Sequence, residues 1–231
     1  MNLKSRLHWI FVCLWLVGLA ALAGCNVQMT TGSGNVVTRE FDYSDFNQVE
    51  ISHAFEGAIT QGAEYRVVVR VDDNLEQYLL AEQAGDRVRI GLEDVLNVGQ
   101  ATMEYEITMP SLAALDLSGA AQAQLSGFTS SDAFEGEASG ASRMAGDLTS
   151  GNTRLHASGA STIALDGDRG DAQLEASGAS TITLTGQGGT LAANASGAST
   201  IDLEAFPTTS ANATASGASN VTVNTTGRLD A

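Results

Sequence analysis

Apolar and polar residues alternate along the second half of the chain, and the alternation recurs about every 19 residues. Each repeat holds two apolar positions before a glycine and two after it. These positions form four columns: Leu155/Leu174/Ala193, Ala157/Ala176/Ala195, Ile163/Ile182/Ile201 and Leu165/Leu184/Leu203. A period of two is typical of strands with one buried face. The longer period predicts that each repeat is one coil of a solenoid, stacked on the next coil.

A short motif marks one corner of every predicted coil. The tetrapeptide Ser-Gly-Ala-Ser begins at Ser158, Ser177, Ser196 and Ser216, and variants of it occupy Ser118–Ala121 and Ser139–Ser142. Glycine permits the bend or the close backbone approach that such a corner needs. Serine hydroxyls can bond to local backbone or to a neighbouring coil. The motif therefore predicts architecture, and we do not expect its serines to be catalytic.

The chain before residue 112 alternates without a visible repeat. Five segments rich in strand-forming residues are predicted as strands: Gln48–Ile51, Ala58–Gln61, Tyr65–Val71, Arg87–Leu92 and Glu104–Met109. The segment Asn74–Gln83 fits either a short helix or an irregular corner. We expect residues 35–231 to form one all-β solenoid, with irregular strands over 35–111 and repeat coils over 112–231.

The first residues have the features of a secretion signal. Basic Lys4 and Arg6 precede the apolar run Trp9–Leu22, which is too short for a membrane-spanning helix. The segment ends in Leu22-Ala23-Gly24-Cys25, which resembles the lipobox of bacterial lipoproteins. An ordinary signal peptide with a chance cysteine is the alternative.

The lipobox resemblance implies that residues 1–24 are removed and that Cys25 carries the lipid. Residues 25–34 would then be a flexible tether. Asn26 follows the cysteine, and this implies the outer membrane if the host has one, or otherwise the outer face of the cell membrane. The membrane is thus one expected partner.

Charge and cysteine content limit the other partners. The whole chain has a formal charge of −16, and removing Lys4 and Arg6 leaves nine arginines against 27 carboxylates, a charge of −18. A surface of this charge repels nucleic acid, so we expect no nucleic-acid partner. The mature chain would hold one cysteine, already lipidated, and therefore no intrachain disulfide. We expect no cofactor.

The repeats and the junction before them resemble the putative auto-transporter adhesin, head GIN domain family. The junction is Met109-Pro110-Ser111-Leu112, followed by Leu115–Ala120 and then by the repeated Ser-Gly-Ala-Ser corners. The resemblance covers roughly Val36–Ala231. It implies a right-handed, single-stranded parallel β-helix on a bacterial envelope protein, and it implies no established catalytic residues.

Relatives in that family usually continue into a further coil, whereas this chain ends at Arg228-Leu229-Asp230-Ala231. The last coil is therefore expected to be incomplete, with an exposed edge. Edge-to-edge self-association at this C-terminal coil is one expectation. Envelope polysaccharide and envelope protein are the other candidate partners.

Candidate chemistry is sparse. Of the histidines in the mature chain, His156 falls on an outward position, and we assign it no catalytic role. Asp166, Asp168 and Asp171 crowd one corner and are the candidates for calcium, although acidic Gly-rich turns need no metal. The corner also contains the integrin-type tripeptide Arg169-Gly170-Asp171, which we interpret as a coincidence.

These observations favour a non-enzymatic, lipid-anchored envelope protein that acts by binding, by adhesion or as a structural module. Two alternatives stay open. A carbohydrate-active β-helix would need paired carboxylates and aromatic platforms. A calcium-dependent adhesion module would need the aspartate corner to bind the ion.

Overall fold

The computed structural model describes residues 29–93 and 97–231, so the predicted signal segment and Cys25 lie outside the described residues. The described part is almost entirely β-structure. Its first half contains β1 (Met29–Thr30), β2 (Val36–Phe41), β3 (Gln48–Ile51), β4 (Glu56–Gln61), β5 (Arg66–Asp72), β6 (Leu79–Ala84), β7 (Arg87–Leu92), β8 (Asn97–Val98) and β9 (Met103–Met109).

The second half consists of short strands that follow one another at nearly regular intervals. They are β10 (Ala114–Leu117), β11 (Gln122–Thr129), β12 (Phe134–Ala138), β13 (Arg143–Thr149), β14 (Thr153–Ala157), β15 (Thr162–Asp166), β16 (Ala172–Ala176), β17 (Thr181–Thr185), β18 (Thr190–Ala195), β19 (Thr200–Thr208), β20 (Ser210–Ala215), β21 (Asn220–Thr225) and β22 (Leu229–Asp230).

Two ten-stranded sheets face each other across the core. Sheet I has the order β22-β20-β18-β16-β14-β12-β10-β3-β7-β6, and sheet II has the order β2-β5-β9-β4-β11-β13-β15-β17-β19-β21. From β10 to β21 the chain alternates between the two sheets, and each strand pairs in parallel with the strand one coil away. This is a β-solenoid of about six coils, as the 19-residue period predicts.

The register of the strands confirms the apolar columns. Leu155 pairs with Leu174 and Leu174 with Ala193 in sheet I, while Ile163 pairs with Ile182 and Ile182 with Ile201 in sheet II. All of these side chains are buried. Because each coil places like residues above like, the core is a stack of ladders of Ala, Ile and Leu side chains.

Two further inward columns were not predicted. One precedes the apolar pair of sheet I and consists of Thr153, Ala172, Leu191 and Ala211. The other is formed by the last serine of the motif at Ser142, Ser161, Ser180 and Ser199, each at most 1% exposed. The first column mixes polar and apolar residues, and the second consists of polar serines. A search for repeated apolar positions therefore finds neither column.

The strands before residue 112 enter the same stack, but not in chain order. β3 and β4 form a coil directly above β10 and β11, and β7 and β9 lie one step further along the stack. All five strands predicted from this part of the sequence are present. The possible helix within Asn74–Gln83 is instead a 3₁₀ turn at Glu76–Tyr78 followed by β6, so the reading as an irregular corner was closer.

The two ends of the stack differ. At the N-terminal end, β5 pairs antiparallel with β9 and with β2, and β6 pairs antiparallel with β7. At the other end β21 and β22 are the last strands of their sheets, and Leu229 is 48% exposed. The described residues of the predicted tether contact the domain, since β1 pairs with β8 and the Gly34 N–H donates to Asp72.

Candidate functional site

The corner between the two sheets is built on glycines with a left-handed backbone. Gly140, Gly159, Gly178 and Gly197 have φ between 72° and 75°, and a Cβ on any of them would lie within 2.7 Å of the preceding glycine's carbonyl oxygen. The next residue's N–H bonds to that same oxygen; for example, Ala160 donates to Gly140 over 2.7 Å. Only glycine fits at these four positions, because a Cβ would collide with the carbonyl oxygen and because other residues also disfavour positive φ.

The hydroxyl of the last serine of the motif binds to the preceding coil. Ser161, Ser180 and Ser199 donate their hydroxyls to Ala138, Ala157 and Ala176 of the preceding coil, over 2.9–3.1 Å. Each acceptor carbonyl also receives the N–H of the motif's first serine, as when Ser158 donates to Ala138. A buried hydroxyl that donates to a carbonyl is not an activated nucleophile, because no base accepts its proton.

His53 occupies the same corner one coil earlier. Its φ is 65°, and its carbonyl oxygen accepts the Ala120 N–H over 2.6 Å, as the glycine carbonyls do in later coils. Its Nδ1 lies 3.0 Å from the Ser52 hydroxyl and accepts the Leu92 N–H over 3.3 Å. Burial lowers the pKa of His53. The sequence contains a signal for this role, because Ser52-His53-Ala54 matches the motif with histidine in place of glycine.

His156 lies on the outward face of sheet I. Its Nδ1 is 3.4 Å from a carboxylate oxygen of Glu175, which stands at the matching position of the next strand. A shallow groove of about 360 Å³ surrounds the pair. No hydrogen bond joins His156 to a serine among the described residues, so the arrangement is a surface contact between an imidazole and a carboxylate and not a Ser–His catalytic pair.

The acidic corner opposite the motif is held together by the coil that follows it. The Asp166 carboxylate accepts the Thr185 hydroxyl over 2.5 Å, Asp168 accepts both amide groups of Gln187, and Asp171 accepts the Thr190 N–H over 2.8 Å. Over residues 29–93 and 97–231, no three Asp, Glu, His or Cys side chains are grouped as a metal site. The three predicted calcium candidates thus have partners within the protein.

Arg169 turns inward from this corner. It is 6% exposed, donates through Nη1 to Gly167 over 2.5 Å, and lies over the ring of Phe206 at 5.8 Å. Burial lowers the pKa of Arg169 to about 10 against the opposing effect of Asp166 and Asp168. The guanidinium of the Arg-Gly-Asp tripeptide is therefore not presented to a partner.

An open groove of about 430 Å³ lies on the outward face of sheet II. It crosses β9, β4, β11 and β13, and its floor includes Gly57, Ala58 and Ala145. Polar side chains along it follow one column of matched positions, in which Glu56 pairs with Gln122 and Gln122 with Arg143. Gln124 stands in the neighbouring column, between Ala58 and Ala145.

One end of this groove is closed by ion pairs. Arg70 lies 2.8 Å from Glu106 and 3.7 Å from Glu104, and its hydrogen bond to Glu106 lowers the pKa of that carboxyl. The groove was not predicted from the sequence. It depends on neighbours from β4, β9, β11 and β13, which are far apart in the chain and become adjacent only through the order of the sheet.

Comparisons with known proteins agree on the family and the fold. The family model described as putative auto-transporter adhesin, head GIN domain matches residues 45–231. No curated protein matches the chain significantly. No helix within the described ranges is long and apolar enough to cross a membrane.

Solved structures from Parabacteroides and Bacteroides species share the fold. A putative adhesin from Parabacteroides distasonis matches with a TM-score of 0.69 and 16% identity, covering 88% of this chain and 99% of that one. A putative lipid binding protein from the same species matches with a TM-score of 0.71 and 20% identity, covering 85% of each chain. A putative adhesin from Bacteroides fragilis matches with a TM-score of 0.61 and 16% identity, covering 87% of this chain and all of that one.

Proposed function

Because the chain belongs to the putative auto-transporter adhesin, head GIN domain family, we propose that it is a non-enzymatic binding module of the bacterial cell envelope. In this proposal a lipid on Cys25 attaches the chain to the membrane, and the solenoid binds an envelope or surface polymer. The family and the similar structures are named for adhesion or lipid binding, not for catalysis.

One structural observation carries the binding function. The residues that repeat most regularly, the corner serines and glycines, are used to stack the coils, whereas the outward faces of the two sheets carry side chains that vary from coil to coil. A rigid scaffold with variable outward positions is suited to recognition. The groove on sheet II is a concave part of those faces that such variable side chains line.

The carbohydrate-active alternative has less support. A hydrolytic site needs a pair of carboxylates facing one cleft, with one of them free to donate a proton. In the groove on sheet II, Glu104 and Glu106 are held by Arg70, and Tyr105 is 1% exposed, so its ring offers no platform for a sugar. These contacts favour binding without cleavage.

The anchor is tested in the native host with a clickable fatty acid. The wild-type chain should incorporate the label and fractionate with membranes, whereas a Cys25→Ala variant should do neither. Binding is tested by cosedimentation of the full chain, kept in detergent, with detergent-extracted envelopes of a strain that lacks the native copy, because the lipid then has no bilayer to enter. Saturable cosedimentation supports the module; its absence, with the label still incorporated, removes the binding function and leaves the anchor.

A further inference from the structure

Arg143 differs from every other arginine in the described part of the chain. The other eight there each make an ion pair or a side-chain hydrogen bond, whereas the Arg143 guanidinium makes neither. It is exposed, and its neighbours at the matched positions of the adjacent strands are the uncharged Gln122 and Thr162. The nearest carboxylate in its own column is Glu56, two strands or about 10 Å away.

An unpaired guanidinium is the group best suited to bind a carboxylate, because its parallel N–H donors match both oxygens. The chain has 27 acidic residues that could pair with its arginines, so an exposed arginine without a carboxylate partner is available to bind a carboxylate of a ligand. The mature surface repels anions as a whole. An anionic ligand must then be recognised locally, at the end of the groove that is farthest from Glu104 and Glu106.

Two amides stand beside this guanidinium. The side chains of Gln122 and Gln124 are exposed on β11 and have no hydrogen-bond partner among the described residues. A side-chain amide has both a hydrogen-bond donor and an acceptor, so it can donate to a sugar hydroxyl or accept from one. Ala58 and Ala145 flank Gln124 and leave a shallow apolar floor that a sugar ring can cover.

The groove lies on the face of sheet II and not at its edge. The backbone groups of β11 are already paired with β4 and β13, so an extended peptide cannot add to the sheet here. The groove is also open, with Glu, Gln and Arg side chains among its lining residues, and it has no enclosed apolar chamber for acyl chains. A polyhydroxylated ligand fits these donors and acceptors better than a peptide or a lipid tail.

We propose that Arg143, Gln122 and Gln124 form a subsite for an acidic sugar residue of an envelope or surface polysaccharide. Arg143 binds the carboxylate, the two glutamines bind hydroxyls, and the alanine floor contacts the ring. This inference rests on the proposed binding function and deepens it, since it names the ligand class and the residues that select it.

The test uses the full chain in detergent and affinity electrophoresis in gels that contain polygalacturonate, its methyl ester or neutral dextran. Wild type should be retarded by polygalacturonate alone. Arg143→Ala should weaken this binding at least about tenfold, the loss expected for a charge-assisted contact. Arg143→Lys keeps the charge but loses the bidentate geometry and should bind with intermediate affinity.

Arg154→Ala is the matched control, because Arg154 is an exposed arginine on the opposite sheet, held by Gln173. This variant should bind as wild type does. If Arg143→Ala misfolds by circular dichroism, Gln122→Ala with Gln124→Ala tests the same subsite.

Equal retardation by the methyl ester, undiminished binding by the Arg143 variant, or binding only to vesicles of anionic phospholipid would overturn the subsite. Envelope cosedimentation that persists with the Arg143 variant would remove this subsite but leave the proposed binding function intact. Loss of cosedimentation in wild type would remove the binding function itself.

Discussion

The carbonyl oxygen of His53 accepts the Ala120 N–H over 2.6 Å, so a histidine takes the place that glycine holds in every later coil. Histidine tolerates the left-handed backbone better than branched residues do. Its ring adds what glycine cannot, an acceptor for the Leu92 N–H of the neighbouring strand β7. The first corner of the solenoid is thereby joined to the strands that cover its N-terminal end.

This position makes stability depend on pH. Burial lowers the pKa of His53 in the folded state below its ordinary 6.5, so below pH 6.5 the unfolded chain binds more protons than the folded one. His53 should therefore make the protein less stable as pH falls from 7 towards 5. In the His53→Asn variant, asparagine can adopt the same left-handed backbone conformation, and its side chain does not titrate. Urea unfolding of both chains across this range should show a steeper decline for wild type; parallel curves would contradict the assignment.

The glycine ladder predicts a large penalty for a single methyl group. Gly159→Ala puts a Cβ about 2.6 Å from the Gly140 carbonyl oxygen at a φ of 72°, and should cost about 3 kcal/mol of unfolding free energy. Gly127 has a φ of 77° but no atom within 4 Å of its would-be Cβ. Gly127→Ala should therefore cost only the backbone strain, about 1 kcal/mol. Equal losses in urea unfolding would show that the close approach is not what requires glycine.

The two serines of one motif should differ. Ser180 is 1% exposed and donates to the Ala157 carbonyl over 3.0 Å, so Ser180→Ala should cost about 1 kcal/mol. Ser177 is partly exposed, and its hydroxyl has no partner in the described ranges, so Ser177→Ala should change stability by less than about 0.5 kcal/mol. Thermal unfolding measures both; a larger loss for Ser177 would require another role for the exposed serines.

The acidic corner should stabilise the fold without calcium. Asp171 accepts the Thr190 N–H, so Asp171→Ala should lower stability by about 1 kcal/mol in EDTA and in millimolar calcium alike. Thermal unfolding of wild type should show no calcium shift beyond that of the Asp171 variant. A calcium-dependent rise in Tm that Asp168→Ala or Asp171→Ala abolishes would instead establish the calcium-dependent alternative.

The period of the sequence was enough to predict the coils. Leu155 and Leu174 lie 19 residues apart and pair directly, because a solenoid converts a sequence period into a register. The corner role of glycine followed from its spacing. The bonds from Ser161 and Ser180 to the preceding coil followed from the chemistry of hydroxyls near a bend, whereas the burial of these serines did not.

The order of the strands before residue 112 within the two sheets could not be predicted from a sequence period. The insertion of β9 between β5 and β4 depends on tertiary pairing between strands that share no repeat, and alternation alone does not specify a neighbour. The groove on sheet II has the same origin, because Glu56 and Arg143 become neighbours of Gln122 only after β4 and β13 flank β11. Its residues carry no motif that a sequence reading could detect.

The central claim is that this solenoid binds an envelope polymer and leaves it chemically intact. The most direct measurement is cosedimentation of the full chain in detergent with detergent-extracted envelopes, which hold no bilayer for the lipid, followed by an assay for new reducing ends in the same samples. We predict saturable binding, unchanged in a variant with alanine at the first serine of three motifs, Ser158, Ser177 and Ser196, and no new reducing ends. Release of reducing ends above a protein-free control, or no saturable binding, would contradict the account.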